Sequence, residues 1–373
     1  MIYLDNAATT PLSDKVLQTL IQVSQGIYGN PSSTHTAGRK ASQILRQSRQ
    51  TIAALLEVKS DQIYFTSGGS EADNLALQGY ALAHQKQGKH IITTAIEHHA
   101  VLHSLDYLKD QFGFDITYIR PRNGRIEAKD IKEALRPDTI VVSVMYANNE
   151  TGDLLPIAEI GQLLKDHPAV FHVDAVQTIG KLRIHPRELG IDFLAASAHK
   201  FHGPKGVGFL YAALPQFDAL IHGGNQENKH RAGTENLAAI AAMATALEEN
   251  LTESESHYHH VKALGDYLLE RLKQEEIDYQ LNQSDSALPY VLNLSFPGQL
   301  NEQLLMRLDM AGIALSTGSA CTAGAIEPSH VLTALYGSDS PKLRDSIRIS
   351  LSALNKQTEI EQFITELKHI IKE

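Results

Sequence analysis

Between residues 51 and 211, short β-rich apolar runs alternate with helical stretches, and no other feature restricts the fold of this chain as tightly. Parallel strands need crossover connections, usually helices, so such alternation predicts an α/β fold with a mostly parallel sheet between helix layers. The runs at 63–66, 90–94, 116–119, 140–146, 170–173, 193–196 and 207–211 supply seven expected strands. Several are apolar on both faces, as strands buried between helices must be. Helical patterns at 71–87, 101–111 and 157–165 lie between them. Arg122-Asn123-Gly124-Arg125 is expected to form a tight turn, since Asn-Gly suits positive φ at both central positions.

Beyond the sheet, the Ala-rich stretch 236–249 reads as a well-packed helix, and the polar stretch 252–257 interrupts it. Helix is expected to resume over 261–274. This places a large domain over residues 15–254, with residues 1–14 and 255–373 forming a smaller α+β domain. In that second part, 290–296 is strand-like and 301–311 helical. A closing helix puts Ile360, Phe363, Ile364, Leu367, Ile370 and Ile371 on one face.

Composition narrows the classes of function. With 33 Lys and Arg against 43 Asp and Glu, the net charge is −10. That balance argues against a chain built to coat nucleic acid or an anionic membrane. No basic, apolar leader opens the sequence and no apolar run reaches membrane-spanning length, so a soluble, cytoplasmic protein is expected. There is one cysteine, Cys321, which excludes an intramolecular disulfide and a cysteine-rich zinc or iron–sulfur site within one chain.

Six segments carry candidate chemistry. In Thr66-Ser67-Gly68-Gly69-Ser70-Glu71-Ala72-Asp73 a strand runs through paired glycines into a helix. Ser70 suits an N-cap that Asp73 reaches back to. The segment reads either as a phosphate cradle at a helix N-terminus or as an ordinary strand–helix turn. Lys200, in Ser197-Ala198-His199-Lys200, stands at the carboxyl end of a strand, where open α/β sheets bind ligands. Its amine is suited to a Schiff base if desolvated; the alternative is a solvated loop lysine. Asp174 ends the apolar strand in His172-Val173-Asp174-Ala175 and needs a partner, either a pyridinium nitrogen or a neighbouring Arg or helix cap.

His98, in Glu97-His98-His99, can stack on an aromatic cofactor and move protons. Adjacent histidines lack the i, i+4 spacing of a helical metal site, so no metal is expected. Cys321 lies among small residues in Gly318-Ser319-Ala320-Cys321-Thr322-Ala323-Gly324, an exposed loop composition in which a thiol is either reactive or inert. Arg348, in Ser346-Ile347-Arg348-Ile349, alternates with apolar residues and either grips a carboxylate or forms a structural ion pair.

Taken together, these groups match a phosphorylated, aldehyde-bearing aromatic cofactor acting on an amino acid. In order along the chain, His-Val-Asp-Ala at 172–175, Ser-Ala-His-Lys at 197–200 and Gly-Ser-Ala-Cys-Thr at 318–322 resemble the NifS/IscS-like cysteine desulfurases. Tyr3-Leu4-Asp5-Asn6-Ala7-Ala8-Thr9-Thr10-Pro11 and Gly29-Asn30-Pro31-Ser32-Ser33 extend the resemblance over almost the whole chain. The resemblance implies a pyridoxal 5'-phosphate enzyme of the aspartate-aminotransferase type, fold type I.

It further implies roles residue by residue. Lys200 would hold the cofactor, His98 would stack on its ring, and Asp174 would pair with the ring nitrogen. Gly69, Ser70, Ser197 and His199 would bind the phosphate. Asn149 and Gln177 would contact the ring oxygen side or the substrate. Arg348, with Asn149, would hold the substrate carboxylate. Thr234 would reach the partner subunit's phosphate in a homodimer. Cys321 would take sulfur from L-cysteine by way of a ketimine, leave alanine, and carry a persulfide to an acceptor such as an iron–sulfur scaffold or a tRNA-thiolation enzyme. The loop resembles the branch with a longer cysteine segment. Thr317, Ala323-Gly324 and Asn225 depart from the commoner Ser, Ser and Gly. Selenocysteine lysis or transamination on the same fold is the rival reading.

Overall fold

The computed structural model describes residues 1–317 and 328–372. The first part of the chain runs β1 (Ile2–Tyr3), α1 (Asp14–Gly26), α2 (Thr36–Leu55), β2 (Ile63–Thr66), α3 (Gly69–His84), β3 (His90–Thr94), α4 (His99–Phe112) and β4 (Asp115–Ile119). It continues through α5 (Ala128–Ala134), β5 (Thr139–Ser143), α6 (Ile157–Leu164), β6 (Val170–Asp174), β7 (Phe193–Ser197), β8 (Gly208–Ala212) and α7 (Leu237–Thr252). The seven expected strands pair in the order β2-β8-β7-β6-β5-β3-β4. Only β8 runs against its neighbours, so the sheet is mostly parallel, as the alternation predicts.

Period-two alternation divides the side chains of this sheet between two apolar cores. Leu194 and Ala196 of β7 face the core shared with α1, α2 and α7. Phe193 and Ala195 face the core shared with α3 and α4. In α7, alanines 239, 242, 244 and 246 are all buried, and their small size lets the helix lie close to its neighbours.

The remaining chain forms α8 (Ser254–Gln274), β9 (Gln280–Leu281), β10 (Val291–Ser295), α9 (Asn301–Met310), β11 (Ile313–Ala314), α10 (His330–Tyr336), α11 (Lys342–Asp345), β12 (Ser346–Ser350) and α12 (Gln357–Lys372). Strands β9, β10 and β12 make a small antiparallel sheet, and β1 pairs with β11. A third apolar core collects Leu264 and Leu268 of α8, Leu292 and Leu294 of β10, and Phe363 and Leu367 of α12. Leu4, from the far end of the chain, joins it.

Two expectations are corrected. The polar stretch 252–257 is not a loop. It is interrupted only at Glu253, and α8 begins at Ser254. Ser254 is buried while Glu255 and Ser256 are exposed, so the polar run is the solvated face of an amphipathic helix. Strand β5 stops at Ser143 instead of 146. Beyond it Val144 and Tyr146 still donate to His172 and Asp174 carbonyls at 3.0 and 2.9 Å.

Candidate active site

The carboxyl ends of parallel strands leave backbone and side-chain groups without ladder partners, and ligands of open α/β sheets gather there. In this chain the segments following β2, β3, β5, β6 and β7 converge on one such edge.

After β2 the chain enters α3 at Gly69 with no side-chain cap. Its first N–H groups and the positive end of the helix are therefore available to an anion. Gly69 is needed for packing, because a Cβ there would stand 2.6 Å from Val176 Cγ2. Ser70 is not the N-cap, and Asp73 does not reach back to it, contrary to the sequence expectation. The helix starts at Gly69, and Glu71 takes the local role. Its carboxylate accepts the Ser67 N–H at 2.9 Å and pairs with Arg231 at 2.9 Å. Asp73 turns inward and is 1% exposed.

His98 caps α4. Its Nδ1 accepts the Ala100 N–H at 3.1 Å, which leaves the proton of the neutral ring on Nε2. Burial lowers its pKa to about 4, and Lys200, His330 and His103 act in the same direction. Asp174 closes β6, and its Oδ1 accepts the Val176 N–H at 2.9 Å. Burial raises its pKa to about 6, against the pull of that bond and of Lys200. Lys200 follows β7, and its Nζ donates to the carbonyls of Ala7 and Ala8 at 2.5 and 2.9 Å. Gln177 Nε2 shares the Ala7 carbonyl at 3.0 Å.

Arg348 comes from β12 and is 2% exposed. Its Nη1 donates to the Asn149 carbonyl at 2.9 Å and its Nη2 meets Asp5 Oδ1 at 2.8 Å. The ion pair and the position at the site therefore coexist.

Gly69, Ser70, His98, Asn149, Asp174, Gln177, Ser197, His199, Lys200 and Arg348 all line one cavity of about 220 Å³. Thr234 does not: it is exposed in the segment after Arg231. Cys321 lies outside the described residues. Sequence reasoning missed Asp73, Met145 and the carbonyls of Ala7 and Ala8 as parts of this site. Asp73 had a signal, since it lies among Ala72, Leu75 and Ala76 on a helix that is otherwise largely apolar.

Asp174 is one of a group of buried acids that includes Glu97 and Asp73. Glu97 is fully buried, and its Oε1 accepts Thr94 Oγ1–H at 2.7 Å and the Met145 N–H at 3.0 Å. Burial raises its pKa to about 8, with Asp174 adding to the shift. Asp73 is pushed well up by burial, then by Asp174 and Glu97. Its Oδ1 lies 3.3 Å from His172 Nε2, and burial lowers the imidazole to about 3. Both changes favour an uncharged pair. Glu97 thus adds stability that is complete below its ordinary value of 4.5 and is lost as pH rises through about 8. Thermal unfolding of the parent is expected to lose stability toward alkaline pH more steeply than Glu97→Gln does. The difference is at most about 1.4 kcal/mol per pH unit. Parallel curves would show that Glu97 holds no extra proton.

Residues 2–363 match the class-V aminotransferase family. The chain belongs to that family. It is 49% identical over 375 residues to IscS 1 of Bacillus subtilis (strain 168), covering 99% of this chain and 97% of that one. It is 42% identical over 374 residues to the cysteine desulfurase IscS of Dictyoglomus turgidum, covering 100% and 94%. The solved structure of a NifS-like protein superposes with a TM-score of 0.92 at 35% identity, covering 100% of this chain and 99% of that one.

Class-V aminotransferases of the IscS/NifS cysteine desulfurase branch are pyridoxal-phosphate enzymes of fold type I, and this chain carries groups that fit the cofactor. An uncapped helix start suits a phosphate. The His199 Nδ1 is buried without a hydrogen-bond partner, and the buried Asp174 carboxyl would be relieved by a cationic ring nitrogen. Among the described residues no cluster of His, Cys, Asp and Glu is arranged to hold a metal, and no helix is long and apolar enough to cross a membrane.

Proposed function

We propose that this cysteine desulfurase converts L-cysteine to L-alanine and passes the sulfur to an acceptor by way of Cys321. The observation that carries the reading is the meeting of Lys200, Asp174, His98 and Arg348 at one cavity with the uncapped start of α3. Pyridoxal phosphate, when bound, supplies an aldehyde for amines and a ring that takes up electrons from the substrate α-carbon.

The chain supplies the rest. The α3 amides, Ser70, Ser197 and His199 hold the phosphate end. The Asp174 carboxylate keeps the ring nitrogen protonated. Arg348 and Asn149 orient the substrate carboxylate, a role that needs a planar, two-pronged donor. Lys200 and His98 would take the proton from the substrate α-carbon and return protons to the α- and β-carbons. The Cys321 thiolate attacks the substrate sulfur. An S–S bond forms as the carbon–sulfur bond breaks, the electron pair stays on carbon, and protonation gives alanine.

We place the cofactor-binding unit over residues 15–254 and the smaller unit over 1–14 and 255–373, which the separate third core supports. We read the enzyme as a homodimer in which Thr234, exposed in the single chain, reaches the partner subunit's phosphate. The acceptor is an iron–sulfur scaffold or a tRNA-thiolation enzyme. The test incubates the purified protein with L-cysteine and a reductant and measures alanine and sulfide together, with L-selenocysteine in parallel. Equal yields of alanine and sulfide are expected. Alanine without matching sulfide would count against desulfuration, and turnover of selenocysteine alone would point to lysis of that amino acid.

A further inference from the structure

Lys181 is a buried amine that the reaction described above does not use. It is 8% exposed and follows β6 by two hydrogen-bonded turns, in which the Thr178 N–H donates to the Ala175 carbonyl and the Lys181 N–H to that of Thr178. Gly180, at φ 80°, delivers it, and a Cβ at that glycine would stand 2.6 Å from Phe201 Cβ. The turn is therefore fixed against the segment that carries Lys200.

Burying an ammonium without a carboxylate is costly, so its retention calls for a reason. The charges that act on Lys181 are both cations, Lys200 and Arg348. The other titratable groups around it are His202, His257 and Tyr290, with the Tyr290 ring 5.3 Å from Nζ. Burial, followed by those two cations, lowers its pKa to about 7.

Its hydrogen bonds lead into the site. Lys181 Nζ donates to Gln177 Oε1 at 3.3 Å. Gln177 Nε2 donates to the Ala7 carbonyl at 3.0 Å. Lys200 Nζ donates to that same carbonyl. A chain of contacts thus links one amine to the other through Gln177 and Ala7. The two lysines also share a cavity of only about 10 Å³, room for about one water molecule and for no ligand.

We propose that Lys181 is a positioning residue for Lys200 and Gln177: it fixes the Gln177 amide with Nε2 toward Ala7 and the cofactor cavity, and it sets a second cation beside Lys200. A neighbouring cation opposes protonation of an amine, which is one way proteins prepare a lysine for Schiff-base chemistry. An anionic cofactor in the cavity favours the ammonium form of Lys181, so the effect persists in the loaded enzyme.

Three variants test this on the holoenzyme: Lys181→Met, Lys181→Gln and Lys181→Arg. The inference rests on Lys200 being the cofactor-bearing lysine, so borohydride reduction and peptide mapping of the parent come first. Label on any other lysine overturns that reading and this inference with it; label on Lys200 leaves the variants to decide. The readouts are the pH midpoint of the visible cofactor band, the cofactor Kd, and the thermal stability of the cofactor-free protein. Lys181→Met is expected to raise the midpoint by about half a unit or more and weaken cofactor binding several-fold, with thermal stability kept or increased. Lys181→Gln, which keeps a donor without charge, should raise the midpoint and leave Kd near the parent value. Lys181→Arg should hold the midpoint at that of the parent. If Met and Gln leave midpoint and Kd unchanged, Lys181 only fills space. Should Lys181→Met fail to fold, an unmoved midpoint in Lys181→Gln is sufficient to overturn the proposal.

Discussion

Lys200→Ala is expected to give a folded protein that has no visible cofactor band retained after gel filtration and a desulfurase rate lower by at least about a thousandfold. The Lys200 amine lies at the carboxyl edge of the sheet, with its Nζ on the Ala7 and Ala8 carbonyls. Among the described residues that line the cavity, it is the one amine, suited both to capturing an aldehyde and to moving the α-proton. Folding should survive, because Ala198 and Phe201 pack into the core on either side while Lys200 itself does not. The measurement pairs thermal unfolding with absorbance and sulfide release. A Lys200→Ala protein that keeps a covalent cofactor band would remove Lys200 from its assigned role. A variant with an unchanged rate would remove the proton-transfer argument as well. Adding a small primary amine to the variant separates the two parts of the role. Partial return of activity would show that proton transfer, not only covalent capture, was lost.

Much of this site was legible because strand ends announce themselves. Asp174 ends an apolar run, and Lys200 follows one. A charged side chain there has few ways to be satisfied except through a ligand or a partner. Six of the seven strands were legible for a related reason, since double burial leaves apolar runs with no alternation, whereas β4 at the sheet edge is only half-buried. Three features were not. Asp73 was misread as a capping residue, because a polar residue near a helix start serves a cap and an interior site equally well in sequence. The helix at 254–260 was read as a break, because its polar face is wide and its buried residues few. Lys181 follows a glycine, and nothing local in the sequence marks it as buried. The contacts that give it meaning come from Ala7 and Lys200, and the Ala7–Lys200 bond spans 193 residues. Such long-range closures are set by the tertiary fold and leave no periodic trace.

Cys321→Ala is expected to retain the cofactor band and bind L-cysteine, yet to release sulfide at least about a thousandfold more slowly, equivalent to about 4 kcal/mol of barrier. The chain has no second cysteine, so no other thiol of the same chain can take over. For the same reason a persulfide on Cys321 has no resolving partner in its own chain and must pass to an added thiol or to another protein. Mass spectrometry of the parent after cysteine, without reductant, should show the gain of one sulfur atom on the Cys321 peptide, which the variant cannot show. This experiment also separates the rival chemistries. Transamination needs the lysine, the acid and the arginine but not the thiol, so an aminotransferase would work at full rate without Cys321. Full activity of Cys321→Ala would therefore sink the thiolate mechanism while leaving the cofactor site intact. Loss of sulfide release with retention of the cofactor band ties the two halves of the molecule together: the sheet edge labilises the carbon–sulfur bond, and one thiol removes the sulfur.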